Sequence, residues 1–158
     1  MDAVATELER VYASRYNGFR HAVVAIVGDY EQAHDVVQDG FARAFANRGR
    51  FRGGSLEAWV WTIVVRRALD LRRRRRPAPL GPEVNAAFVP EEADPELARA
   101  LRALSPRRRL VVFLRYFADL SYEQIADVCG LSVGTVSATL SQALDELRQT
   151  LGVTEVNP

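Results

Sequence analysis

The stretch Leu120 to Leu144, LSYEQIADVCGLSVGTVSATLSQAL, constrains the fold more than any other part of this chain. Ser121 and Gln124 have the spacing of a capping box, in which hydroxyl and carboxamide each satisfy a backbone N–H at a helix start. Gly130 permits the tight turn that ends such a helix. Ser132 stands where it can cap a second helix. Ile125, Ala126 and Val128 form the inner side of the first helix. Val136, Leu140, Ala143, Leu144 and Leu147 form that of the second. Caps, turn glycine and apolar positions agree on a helix-turn-helix.

The rest of the chain has helical periodicity too. Val4, Leu8, Val11, Tyr12, Tyr16, Phe19, Val23 and Ile26 recur near helical spacing, with Gly18 expected to loosen or break the helix. Gly28-Asp29-Tyr30 signals a turn. A second helix is expected over about 31–47, burying Ala33, Val37, Phe41, Ala44 and Phe45. A third is expected over about 56–75, capped by Ser55. Its predicted apolar stripe is Leu56, Trp59, Val60, Ile63, Val64 and Leu71. Five of the seven prolines lie between Pro77 and Pro95, among Glu83, Glu91, Glu92 and Asp94, which reads as an extended linker. Ser105-Pro106 is a strong helix start. The expected fold is all-α, with two small helical domains joined by a flexible linker. The first, at 1–76, has three or four helices. The linker covers 77–95 and the helix-turn-helix domain 96–152.

The net charge of +1 conceals a strong asymmetry. Residues 1–80 hold 14 arginines against 9 acids, whereas residues 81–98 hold 5 acids and no base. Opposed blocks of this kind fit a polyanion-binding part beside a spacer that avoids it. A single cysteine, Cys129, excludes an internal disulfide and a multi-cysteine metal site, and its place in the apolar pattern reads as a packed thiol. His21 and His34 are isolated from metal-ligand patterns. The FRGGS segment lacks the Lys-Ser/Thr sequel of a nucleotide cradle. No nucleophile–base arrangement is evident, so neither an enzyme nor a cofactor or metal is expected. The acidic N-terminus has no apolar run of signal-peptide or membrane-span length, and the expected location is the cytoplasm.

A helix-turn-helix places its second helix in the DNA major groove. The candidates for base contact are Val133, Thr135, Ser137, Ala138, Thr139, Ser141 and Gln142, beside the cap Ser132. No basic residue lies between Leu131 and Glu146, so Arg107, Arg108, Arg109 and Arg115 on the preceding helix are expected to neutralise phosphate. The run Arg72–Arg76, with Arg66 and Arg67, exceeds what capping a helix C-terminus requires and suits phosphate binding. Trp59 and Trp61 are two apart and do not share a helical face. Trp59 is expected in the core, and Trp61 is the candidate for stacking on an unpaired base.

Together these motifs resemble the extracytoplasmic-function group of bacterial RNA polymerase sigma factors, over nearly the whole chain. Asp35-Val36-Val37-Gln38-Asp39-Gly40-Phe41-Ala42-Arg43-Ala44-Phe45 is similar to region 2.2 of that family. The resemblance implies that Asp35, Gln38, Asp39 and Arg43 meet the clamp helices of the polymerase β′ subunit. Phe51-Arg52-Gly53-Gly54-Ser55 is similar to the loop that receives a flipped −10 base. Ala58-Trp59-Val60-Trp61-Thr62-Ile63 with Ala68-Leu69-Asp70 is similar to the helix of −10 recognition and melting. The implied −10 residues are Phe51, Arg52, Ser55, Trp61, Arg66, Arg67, Arg73 and Arg74.

Leu104-Ser105-Pro106-Arg107 and Leu120–Leu144 resemble region 4. The implied −35 residues are Arg107, Arg115, Ser132, Val133, Thr135, Ser137, Ala138, Thr139 and Gln142. Two positions depart from the family. Arg66 stands where members usually carry Asn, and Ser137-Ala138-Thr139 stands where Arg or Lys usually follows Gly-Thr-Val. The implied partners are core RNA polymerase (β′ clamp helices and β flap), promoter DNA and an anti-sigma factor. No membrane insertion and no extra C-terminal domain are expected. The alternative is a stand-alone helix-turn-helix transcriptional regulator.

Overall fold

The computed structural model describes residues 2–75, 88–90 and 92–152, and these fold into two compact units that divide between Ala87 and Phe88. Most of the expected linker, residues 77–87 and Glu91, lies outside the described residues, as does Arg76. Among the described residues the secondary structure is helical, without strands.

The first unit packs three helices pairwise: α1 (Ala3–Val27), α2 (Tyr30–Ala46) and α3 (Leu56–Arg73). The Asp2 carboxylate caps α1, and Gly28, with φ of 79°, ends it. Asp29 then caps α2 directly, so the Gly-Asp pair closes one helix and opens the next. A short 3₁₀ turn, Arg48–Arg50, leads to Ser55, whose hydroxyl accepts the Ala58 N–H at 3.1 Å and starts α3. Leu8, Phe19, Val23, Val37, Val60, Trp61, Val64 and Val65 fill the core. At Gly40 a methyl group would lie 2.6 Å from Val64 Cγ2 and 3.3 Å from its Cα, so the backbones of α2 and α3 approach closely there.

Several expectations need correction here. Gly18 neither breaks nor loosens α1, which runs unbroken past it. A mid-helix glycine costs about 1 kcal/mol relative to alanine, and burial of the neighbouring Phe19, Ala22 and Val23 offsets that. On α3 the two tryptophans exchange places. Trp61 is fully buried, its ring stacked on Phe19 with centroids 3.9 Å apart, while Trp59 is half-exposed. The buried stripe is Leu56, Ala58, Val60, Trp61, Val64, Val65 and Ala68. Small Ala58 and Ala68 let α3 approach its neighbours on the Trp61 side. On α2 the corresponding shift buries Val36 and Gly40 and leaves Phe45 half-exposed.

The second unit holds α4 (Pro95–Ala103), α5 (Pro106–Tyr116), α6 (Tyr122–Cys129) and α7 (Val133–Leu151), with α7 contacting each of the other three. The capping box at Ser121 and Gln124 is formed in both directions, and Gly130 ends α6 with φ of 68°. Packing in this unit begins ahead of residue 96. Phe88 and Val89, inside the stretch expected to be linker, are buried, and the Phe88 ring lies 5.7 Å from that of Phe113. Asp94 caps α4, and Pro95 occupies its first turn. Arg109 is buried. Its Nη2 donates to the carbonyls of Arg102 (3.1 Å) and Leu104 (3.0 Å), satisfying the C-terminal end of α4. Burial pushes its pKa below the usual guanidinium value, with Arg102 adding to the effect.

Candidate nucleic-acid and polymerase interfaces

The exposed side of α2 presents Asp35, Gln38, Asp39 and Arg43, at spacings that put them on one face. Gln38 Nε2 donates to the Tyr12 hydroxyl, and His34 bonds the Tyr16 hydroxyl beside it. The Asp39 carboxylate takes two cations at once, Arg43 Nε at 3.0 Å and Arg67 Nε at 2.8 Å. A carboxylate expected to face a partner protein is thus paired within the free chain with an arginine expected to face DNA.

Beside that pair, α2 and α3 enclose an open groove of about 300 Å³. Arg43, Asn47 and Arg50 line one side, and Trp59, Ile63, Arg66, Arg67 and Asp70 line the other. The Phe51 ring lies 5.5 Å from that of Trp59. Four arginines against one aspartate give the groove a cationic rim, and Trp59 supplies an aromatic wall. Of the −10 candidates, Phe51, Arg66 and Arg67 gather here. Arg52 is exposed, and its Nη1 donates to the Gly49 carbonyl at 2.7 Å. Ser55 serves as the α3 cap. Arg73 pairs with Asp70 at 3.3 Å, and Arg74 is exposed at the end of α3.

Trp61 does not belong with them. Its indole is sealed in the core, and stacking on a base would require the unit to open. Trp59, with Asn47 and Arg50, is what the sequence reading missed. Two of the arginines in the Arg72–Arg75 run are braces. Arg72 Nη1 donates to the Ile26 carbonyl at the end of α1 (3.1 Å), and Arg75 bonds Gln32.

In the second unit, the start of α5 and the exposed side of α7 form a concave surface. Ser105, Arg107 and Arg108 meet Ser132, Gly134, Thr135, Ala138, Thr139 and Gln142 there. Ser132 accepts the Thr135 N–H at 3.0 Å, and the two hydroxyls lie 2.8 Å apart. Val133, Ser137, Ala138 and Gln142 are exposed, as is Arg107. Thr139 is only 9% exposed. It completes the inward stripe of Val136, Leu140, Ala143 and Leu147 and forms the floor of the surface instead of projecting from it. Arg109, also expected to meet phosphate, is the buried brace described above. Arg115 is half-exposed, 3.7 Å from Asp119, with the rings of Tyr116 and Tyr122 at 5.7 and 6.0 Å.

Comparison with known families matches these two units in chain order. The model of Sigma-70 region 2 covers residues 11–78, and that of Sigma-70 region 4 covers residues 95–147. A curated extracytoplasmic-function RNA polymerase sigma factor, SigL of Mycobacterium tuberculosis, is 31% identical over 144 residues, covering 82% of this chain and 81% of its own. The chain belongs to the extracytoplasmic-function group of sigma-70 factors. It is therefore a factor that directs transcription by RNA polymerase, and the stand-alone regulator is not favoured.

RpoE of Cereibacter sphaeroides, another sigma factor of the group, is 29% identical over 94% of this chain and 86% of its own. Among solved structures, CnrH in complex with the cytosolic domain of CnrY is 26% identical. It superposes with a TM-score of 0.56 over 94% of this chain and 89% of that one. The sigma factor RpoE of Bartonella quintana, crystallised with the anti-sigma factor NepR, shares the fold with a TM-score of 0.59 at 23% identity, over 94% and 99% of the two chains. No helix among the described residues of this sigma factor is long and apolar enough to cross a membrane.

Proposed function

We propose that this sigma factor grips core RNA polymerase with the exposed face of α2, through Asp35, Gln38, Asp39 and Arg43. The cationic groove between α2 and α3 then receives the −10 element. Phe51, Trp59, Arg66 and Arg67 hold an unpaired strand, with Arg52, Arg73 and Arg74 on flanking phosphate. Region 4 reads the −35 element through α7, with Ser132, Val133, Thr135, Ser137, Ala138 and Gln142 toward the bases and Arg107 and Arg115 toward the backbone. Catalysis belongs to the polymerase. The protein acts in the cytoplasm, where its enzyme and promoters are, and an anti-sigma factor restrains it. That partner is inferred from a similar sigma factor solved with one.

The observation that carries this proposal is the groove. It joins an aromatic wall to four arginines on the helices that match region 2, the combination that binds single-stranded nucleic acid by stacking and charge. The test is run-off transcription with core polymerase from a related bacterium on a pool of its promoters. New transcripts sharing −10 and −35 motifs support the proposal. Polymerase binding without transcripts counts against promoter opening. Asp35→Arg is expected to abolish copurification with core enzyme, and normal copurification would remove α2 from the interface.

A further inference from the structure

Helix α7 carries no basic residue before Arg148, yet a cation lies against its exposed side. Arg108, in the first turn of α5, reaches across to α7. Its Nη2 donates to Gln142 Oε1 at 3.1 Å and its Nη1 to Glu146 Oε2 at 2.9 Å. The two acceptors are one helical turn apart, so the guanidinium is held from two points while its side chain stays 36% exposed. Arg108 and Gln142 line the same concave surface as Ser132, Thr135 and Ala138.

This contact changes what Gln142 offers to a base. A free carboxamide bonds adenine twice, accepting from N6–H₂ and donating to N7. Here the oxygen is engaged by a cation, and the NH₂ group remains. Arginine itself carries only donors. Side by side, the two present donors alone. Guanine carries two adjacent major-groove acceptors, N7 and O6, that suit such a surface. Adenine would set its own N6–H₂ donor against it.

We propose that Arg108, from the helix preceding the helix-turn-helix, and Gln142 form a specificity-determining pair. The pair selects guanine over adenine at one position of the −35 element, and Glu146 acts as a positioning residue that holds the guanidinium. The inference rests on the proposed reading of the −35 element by α7.

The test uses the full chain with core polymerase, in run-off transcription from a promoter library carrying all four bases at every −35 position. For the wild-type chain, one position is expected at which adenine in place of guanine lowers transcription about tenfold, the order of one bidentate contact. Arg108→Met should abolish that discrimination and leave the other positions unchanged. Gln142→Glu keeps an acceptor for Arg108 but replaces the donor facing the base. It should move the preference at that position toward cytosine, whose N4–H₂ donates. An unchanged profile in Gln142→Glu overturns the inference, even if Arg108→Met proves too unstable to assay. So does a wild-type profile that depends on −35 sequence but nowhere separates guanine from adenine. A library with no −35 dependence at all overturns the underlying −35 reading, and the pair with it.

Discussion

Gly40→Ala sets two effects against each other at a single carbon. Alanine favours the helix by about 1 kcal/mol, but its methyl group would lie 2.6 Å from one Val64 methyl and 3.3 Å from Val64 Cα. A side chain yields to such a contact more readily than a backbone, and overpacking of this kind costs about 1–3 kcal/mol. The net expectation is a destabilised first unit, with a lower midpoint in thermal melts followed by circular dichroism; an unchanged or higher midpoint would mean that the helices can separate. The tryptophans give a sharper contrast. Trp61→Ala should cost about 3–5 kcal/mol, as for other buried aromatics. Trp59→Ala should leave the melt nearly unchanged but weaken transcription from duplex promoters, and a template with a pre-opened −10 region should restore activity. Equal loss on both templates would count against a role for Trp59 in opening. The sequence could not separate these two residues. Between Leu56 and Val65, α3 is apolar around most of its circumference, and two phases fit the period. Ala58 and Ala68, too small to weigh in a hydrophobic pattern, mark the side that packs most closely. Thr139 was legible in principle, because it lies three residues after Val136 and one before Leu140, on the stripe already identified.

At the scale of elements, the serine caps of α3, α5, α6 and α7 are legible in sequence because each is a local interaction of three or four residues. Ser121→Ala removes the hydroxyl that accepts the Gln124 N–H at 3.1 Å. It should cost about 1 kcal/mol and lower the melting midpoint of the second unit by a few degrees; no shift would show that packing alone starts α6. Helix α4 falls within the expected second domain, but no helix start is assigned to it from sequence, although Asp94-Pro95 repeats the cap-then-proline signal of Ser105-Pro106. The acidic, proline-rich surroundings masked it. The contact that closes the end of α4 comes from outside the helix. Arg109, from the next helix, binds the Arg102 and Leu104 carbonyls at its end, and ahead of it Phe88 packs on Phe113. Contacts of this kind join residues whose separation in sequence carries no periodic signal. The Arg108–Gln142 contact was invisible for the same reason, since its partners are 34 residues apart.

At the scale of the whole molecule, both tryptophans lie in the first unit, so the two units can be followed separately. Tryptophan fluorescence should report unfolding of the first unit alone, while far-ultraviolet circular dichroism reports both. Non-coincident denaturation curves are expected, because each unit has its own core. Coincident curves would mean that the units unfold as one. Charge gives a second expectation. Each phosphate contact contributes about 0.7–0.9 to the slope of log affinity against log salt, the lower figure for single strands. Arg66→Ala should reduce the slope measured for holoenzyme on a −10 template by about that amount, and an unaltered slope would place Arg66 away from phosphate. Finally, Asp39 serves two masters. In the free protein its carboxylate belongs to Arg67 as much as to Arg43. An exposed pair of this kind is worth at most about 1 kcal/mol, so either ligand can displace it. If core enzyme claims the carboxylate, the arginine in the groove is released to the promoter. On the proposed reading, recruitment and readiness would then be successive states of one ion pair, with part of the proposed DNA grip closed until the polymerase is bound.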